Sequence, residues 1–138
     1  MQTRKQDPAG ADIVGSPPRK LNGPGPQVMA ASTLESNDVY NSQGDLLGSI
    51  QEIMLDVPHG RIAYAVLSHG GVLGIGDKLY AIPWSALTLD AERKCFLLEA
   101  SIERLKADKG FDKGDWPAMA DESWARRTHE YYQQPPYW

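Results

Sequence analysis

The sequence predicts a small, mainly β domain, and three observations carry that reading. Short runs rich in Val, Ile, Leu and Tyr recur between Val39 and Leu98 at intervals of about ten residues. Asn, Asp, Gly and Pro punctuate these runs as turn formers, and no long stretch of helical period separates one from the next. With 138 residues there is room for one core of ordinary size. About five to six short strands in such an order argue a barrel or a sandwich.

Residues 1–30 hold five prolines and four glycines with scarcely any aliphatic pattern. That composition buries too little apolar surface to offset chain entropy, so a disordered leader is expected there. Order is expected from residue 31, in a β domain over residues 31–107. Val39–Tyr40 reads as a strand, Asn41 to Asp45 as a tight turn and Leu46–Leu47 as a second strand. Beyond Gly48, Ile53, Leu55 and Val57 alternate with Glu52, Met54 and Asp56, the period of a half-buried strand. Pro58-His59-Gly60 turns the chain. The next run, Arg61 to His69, is apolar on both sides: Ile62, Tyr64 and Val66 face one way, Ala63, Ala65 and Leu67 the other. Such a strand belongs in the middle of a covered or closed sheet.

The glycine-rich stretch Gly70 to Gly76 is not read as a phosphate loop. Phosphate loops lie between a strand and a helix, whereas Asp77 to Ile82 has the pattern of a strand, so a hairpin loop is expected. Its Val72, Leu73 and Ile75 either fold back over a barrel mouth or stay exposed as a contact patch. Pro83 edges the following strand, and Trp84 is expected to plug the core at that corner. Leu87 to Asp90 and Cys95 to Ala100 form two strands about a polar tip, and Ser101 is positioned to cap one helical turn. Residues 108–138 form a C-terminal extension with an aromatic helix over about 121–132, capped by Asp121. On that helix Trp124, Thr128 and Tyr131 recur at i, i+4 and i+7, a stripe that needs a surface to cover. The surface is either the outside of the chain's own barrel or that of a second subunit or other protein. The closing Gln133 to Trp138 is expected to fray.

The net charge of −4 is unevenly spread: residues 1–34 carry four basic and two acidic side chains, residues 35–138 ten basic and sixteen acidic. The folded part is therefore acidic, which disfavours nucleic acid as a partner. No apolar run has the length of a membrane span, the N-terminus lacks the apolar region of a secretory signal, and a cytoplasmic protein is expected. Cys95 sits among apolar residues and reads as a small buried hydrophobe. His59, His69 and His129 fall at a turn, a strand end and a helix without metal-site spacing, so no metal is expected. No catalytic residue and no cofactor site are assigned, and the chain is read as a non-enzyme.

The order of segments has a counterpart. Asn41-Ser42-Gln43-Gly44-Asp45-Leu46-Leu47-Gly48, then Gly60-Arg61-Ile62-Ala63-Tyr64-Ala65-Val66, a glycine loop, and Tyr80-Ala81-Ile82-Pro83-Trp84 resemble the PRC-barrel family. That family takes its name from the cytoplasmic domain of the photosynthetic reaction centre H subunit and includes ribosome-maturation factors and stand-alone bacterial proteins. The resemblance covers about Ala31 to Ala107 and implies a six-stranded β-barrel used for protein contact and assembly, with no catalytic residues to carry over. Neither the N-terminal membrane helix of the reaction-centre subunit nor the RNA-contacting N-terminal domain of the maturation factors is expected of this chain.

The function expected is that of a soluble, non-catalytic interaction module, forming a homodimer, whose contacts involve Val72, Leu73, Ile75, Trp124, Thr128 and Tyr131. One alternative is a small-ligand sensor or enzyme with a polar barrel mouth converging on Tyr64, His69 or Tyr80. Another is a peripheral component of a photosynthetic or electron-transfer membrane complex.

Overall fold

The computed structural model describes residues 8–15, 25, 27–70 and 78–138. Seven strands make one sheet: β1 (Asp12–Val14), β2 (Asp38–Tyr40), β3 (Leu46–Asp56), β4 (Arg61–His69), β5 (Lys78–Pro83), β6 (Leu87–Asp90) and β7 (Cys95–Leu98). Three helices accompany them: α1 (Ala31–Leu34), α2 (Ile102–Ala107) and α3 (Glu122–Tyr131). The order across the sheet is β1-β6-β7-β2-β3-β4-β5. β2 to β5 form an antiparallel meander and β6–β7 a hairpin, while β2 runs parallel to β7 and joins the two pieces. The sheet curls around one core of Val39, Leu47, Ile50, Leu67, Ile82, Leu87, Phe96 and Leu98, drawn from all six strands after β1. This is a barrel-like sheet left open, since no ladder joins its two edge strands among the described residues. Trp84 plugs the corner after β5 as expected, edge-on to Phe96 with ring centroids 5.7 Å apart.

Two differences from the sequence reading have local causes. The stretch read as a disordered leader contributes β1, paired in parallel with β6 from Asp12–Thr88 to Val14–Asp90. Ile13 packs against the core and Val14 is buried, a three-residue pattern too short to register against the surrounding proline and glycine. The second difference concerns the face expected to unite Ile53, Leu55 and Val57. Only Ile53 packs against the core; Leu55 and Val57 are exposed. The β3–β4 register shifts between Met54 and Leu55, and a bulge there breaks the alternation that the sequence pattern assumed.

The Asn41 to Gly48 motif is explained by its hydrogen bonds. Asn41 is buried, and its Oδ1 accepts from the amides of Gln43 (3.1 Å) and Asp45 (2.9 Å). Its Nδ2 donates to the Asp45 carboxylate (3.2 Å) and to the carbonyl of Ala100 (3.1 Å), fastening the β2–β3 turn to the segment after β7. Gly44 holds φ +86° in that turn. Gly48 sits at φ +153°, where a Cβ would lie 2.0 Å from the Ser68 carbonyl oxygen. Only glycine lets β3 approach β4 this closely.

Replacing Asn41 by Ala strands the buried Ala100 carbonyl and removes the one oxygen that accepts from the Gln43 and Asp45 amides. Urea unfolding should show a loss of about 3 kcal/mol, against less than about 0.5 kcal/mol for the exposed neighbour in Ser42→Ala.

Candidate interaction site

β4 and β5 carry apolar side chains on both faces, and the outer face is closed by the C-terminal extension. Ala63, Tyr64, Val66, Leu79 and Ala81 form a second cluster there with Phe111, joined by Met54, Met119, Trp124 and Tyr137. The extension is brought in at Gly110, which takes φ +60° and lies so close to β5 that a Cβ would meet the Leu79 carbonyl oxygen at 2.6 Å. Phe111 then pairs with the free edge of β5, its amide donating to Leu79 (2.8 Å) and its carbonyl accepting from Leu79 (2.9 Å).

α3 crosses this face. Asp121 caps it as expected, its carboxylate accepting from the Trp124 amide (3.1 Å). Trp124 stands edge-on to Tyr64 at 5.3 Å, and Ala125 and His129 are buried beneath the helix. Ser101 caps α2 in the same way through the Arg104 amide (3.0 Å). Arg104 and Tyr131 bind reciprocally: the guanidinium lies 4.3 Å from the ring centroid and donates to the Tyr131 carbonyl, while the phenol donates to the Arg104 carbonyl at 2.6 Å. Tyr132 donates to Asp108 (2.6 Å). Burial, foremost, and the adjacent Asp108 push the Tyr132 phenol far up, so it stays protonated and a donor.

The last residues do not fray. Gln133 takes φ +59°, the Gln134 amide donates to the His129 carbonyl (2.8 Å), and the two prolines that follow carry the chain back over the face. Tyr137 then sits 5.9 Å from Tyr64 and 5.4 Å from His129, and Trp138 sits 5.2 Å from His129. Arg61 covers the Tyr137 ring at 5.0 Å and Arg126 the Trp138 ring at 5.7 Å. The proline pair that suggests a loose tail instead stiffens the return.

Between α3 and residues 107–111 the cover leaves a groove of about 440 Å³. Ala81 and Phe111 form its floor, Trp124, Thr128 and Tyr131 one bank, and Ala107 to Gly110 the other. The three helix residues singled out by spacing therefore meet in one concavity, and Trp124 also packs on its own barrel. Ala81, Lys109, Phe111 and Pro117 also line the groove, without any periodic signal in the sequence. Val72, Leu73 and Ile75 lie outside the described residues.

Of the barrel-mouth candidates Tyr64, His69 and Tyr80, the last two stand edge-on with ring centroids 6.5 Å apart, whereas Tyr64 lies apart from them. Tyr64 belongs to the outer cluster and Tyr80 to the inner core, while His69 bonds the Leu47 carbonyl. His59 is exposed and pairs with Asp56 (3.0 Å), and His129 bonds the Ala125 carbonyl (2.8 Å), so the three histidines have separate roles. Among the described residues no cluster of His, Cys, Asp or Glu suits a metal ion. Cys95 is buried and its thiol is pushed up by that burial. It lines a second cleft of about 630 Å³ on the opposite part of the sheet, with Tyr40 and Leu97 as floor and Asp38, Arg93 and Lys94 at the rim.

These features can be set beside known proteins. The PRC-barrel domain matches residues 26–105, more than half of the chain. The chain belongs to the PRC-barrel domain family. Among solved structures, this PRC-barrel protein is similar to a 16S ribosomal RNA processing protein, RimM, from Pseudomonas aeruginosa. The two are 16% identical over 54% of this chain and 45% of that one, with a TM-score of 0.38. The chain thus spans less than half of that protein's length. No curated protein matches it. No helix among the described residues of this PRC-barrel protein is long and apolar enough to cross a membrane.

The packed tail makes stability depend on pH through His129. Burial holds its pKa below the ordinary 6.5, so the unfolded chain binds the proton more readily and stability falls as pH drops through and below that value. The melting temperature of the wild type should decline between about pH 7.5 and pH 5, and His129→Phe should flatten that slope.

Proposed function

We propose that this PRC-barrel protein is a non-catalytic interaction module whose protein partner seats in the groove between α3 and residues 107–111. The observation that carries the reading is the unfilled volume itself. Trp124, Thr128 and Tyr131 wall a concavity of about 440 Å³ on a face whose Tyr64, Val66 and Leu79 are buried within the same chain. That volume lies within the roughly 300–1,000 Å³ typical of ligand pockets, and its aromatic walls suit a peptide or side chain better than a polar metabolite. The family's use in protein contact and assembly agrees with it.

Affinity capture from cells tests the reading with a variant that fills the groove and leaves the Trp124–Tyr64 contact in place. Thr128→Trp should keep the wild-type melting temperature within a few degrees and lose the partner that wild type retains, at least about tenfold by quantitative mass spectrometry. Equal recovery by both proteins would refute the assignment.

A further inference from the structure

The groove also has a charge pattern that narrows its occupant, an inference that rests on the proposed function above. The cations around this face are mostly engaged within the chain. Arg61 binds Asp56 (2.9 Å) and Lys78 binds Asp112 (3.2 Å). Arg126 reaches Glu122 (3.8 Å), and Arg104 is held by Tyr131. Lys109 and Arg127 are different: they line opposite banks of the groove, both are exposed, and neither forms a salt bridge among the described residues. The groove's one lining carboxylate, Asp108, is already in use, its Oδ2 accepting from the Tyr132 phenol (2.6 Å) and its Oδ1 from the Gly110 amide (3.1 Å). Two cations without a salt bridge among the described residues thus flank a floor of Ala81 and Phe111, Arg127 also acting at longer range on the Asp121 carboxylate, in a region, residues 35–138, that carries sixteen acidic and ten basic side chains.

We propose that the groove binds an acidic peptide segment, with one apolar side chain seated between Trp124 and Phe111 and carboxylates paired with Arg127 and Lys109. Ala81, Ala107 and Gly110 leave room for the apolar side chain. The two cations fix the register of the peptide by facing each other across it. Arg127 offers a planar fork suited to a carboxylate and Lys109 a mobile point charge, so Arg127 carries more of the orientation. At distances beyond about 10 Å salt screens the surrounding negative charge, which leaves the local pairs to decide affinity.

Selection of a random heptapeptide library against the full chain tests this without presupposing a partner. The proposal expects enriched peptides with acidic residues on both sides of an apolar one. A synthetic copy of the most enriched peptide should then bind with its affinity reduced about tenfold or more in Arg127→Glu. A Lys-for-Glu version of the peptide should recover binding to Arg127→Glu, which a merely structural role for the arginine would not produce. Enrichment of basic or uncharged peptides that Thr128→Trp no longer binds would overturn the acidic-peptide inference while leaving the groove as the contact site. Peptides bound equally by wild type and Thr128→Trp, or none enriched, would overturn both. Tight binding of oligouridylate RNA abolished by Arg127→Glu would replace the peptide by a nucleic acid. A concentration-dependent dimer in light scattering, lost in Arg127→Glu, would assign the groove to a second copy.

Discussion

The structure depends on the fact that β4 and β5 have two apolar faces. Ala65, Leu67 and Ile82 point into the curled sheet, while Tyr64, Val66, Leu79 and Ala81 point out of it. Burying a side chain of this size stabilises by about 1.5–3 kcal/mol, so an uncovered outer face would forfeit a large part of a small domain's margin. The C-terminal extension answers that need. It is attached first by the two-way backbone pairing of Phe111 with Leu79, which exists because glycine at 110 permits both the turn and the approach. Beyond it, Trp124 and His129 of α3 and the returning Tyr137 close over Tyr64.

The same geometry produces the groove. Phe111 holds residues 107–111 at the edge of β5, and α3 is drawn to the middle of the face by Trp124 and His129, so the two elements diverge. Ala81 on the floor and Ala107 and Gly110 on the bank are small and leave the gap unfilled. The reciprocal Arg104–Tyr131 contact and the Tyr132–Asp108 bond brace the banks from outside. The concavity therefore has fixed walls, which lowers the ordering cost of a ligand.

Much of this was legible in the sequence because some residues have few options. The doubly apolar run at β4 announces a central strand, Ser101 and Asp121 announce helix starts, and the spacing of Trp124, Thr128 and Tyr131, with Ala125, His129 and Tyr132 beside them, announces a helix with one face toward a surface. The Asn41 to Gly48 motif carries both a turn and a close strand approach, and it anchors the family assignment. The parallel contacts β2–β7 and β1–β6 were not legible, since pairing between distant strands leaves no local pattern. The bulge after Met54 defeated a period count that assumed regular alternation. Tyr137 and Trp138 were hidden by the two prolines before them, which read equally as a loose end and as a stiff return. Lys109, Phe111 and Ala81 become a site only when folding brings three separate segments together.

The central claim is that the extension is part of the domain's core and not an appendage. Native-state hydrogen exchange measures this directly by following backbone amides of Tyr64 to Val66 in β4 and of Ala125 to His129 in α3 across low denaturant concentrations. The account predicts that both sets exchange through one opening, with the same free energy and the same dependence on denaturant. Exchange of the α3 amides at a much lower free energy, with β4 still protected, would contradict it.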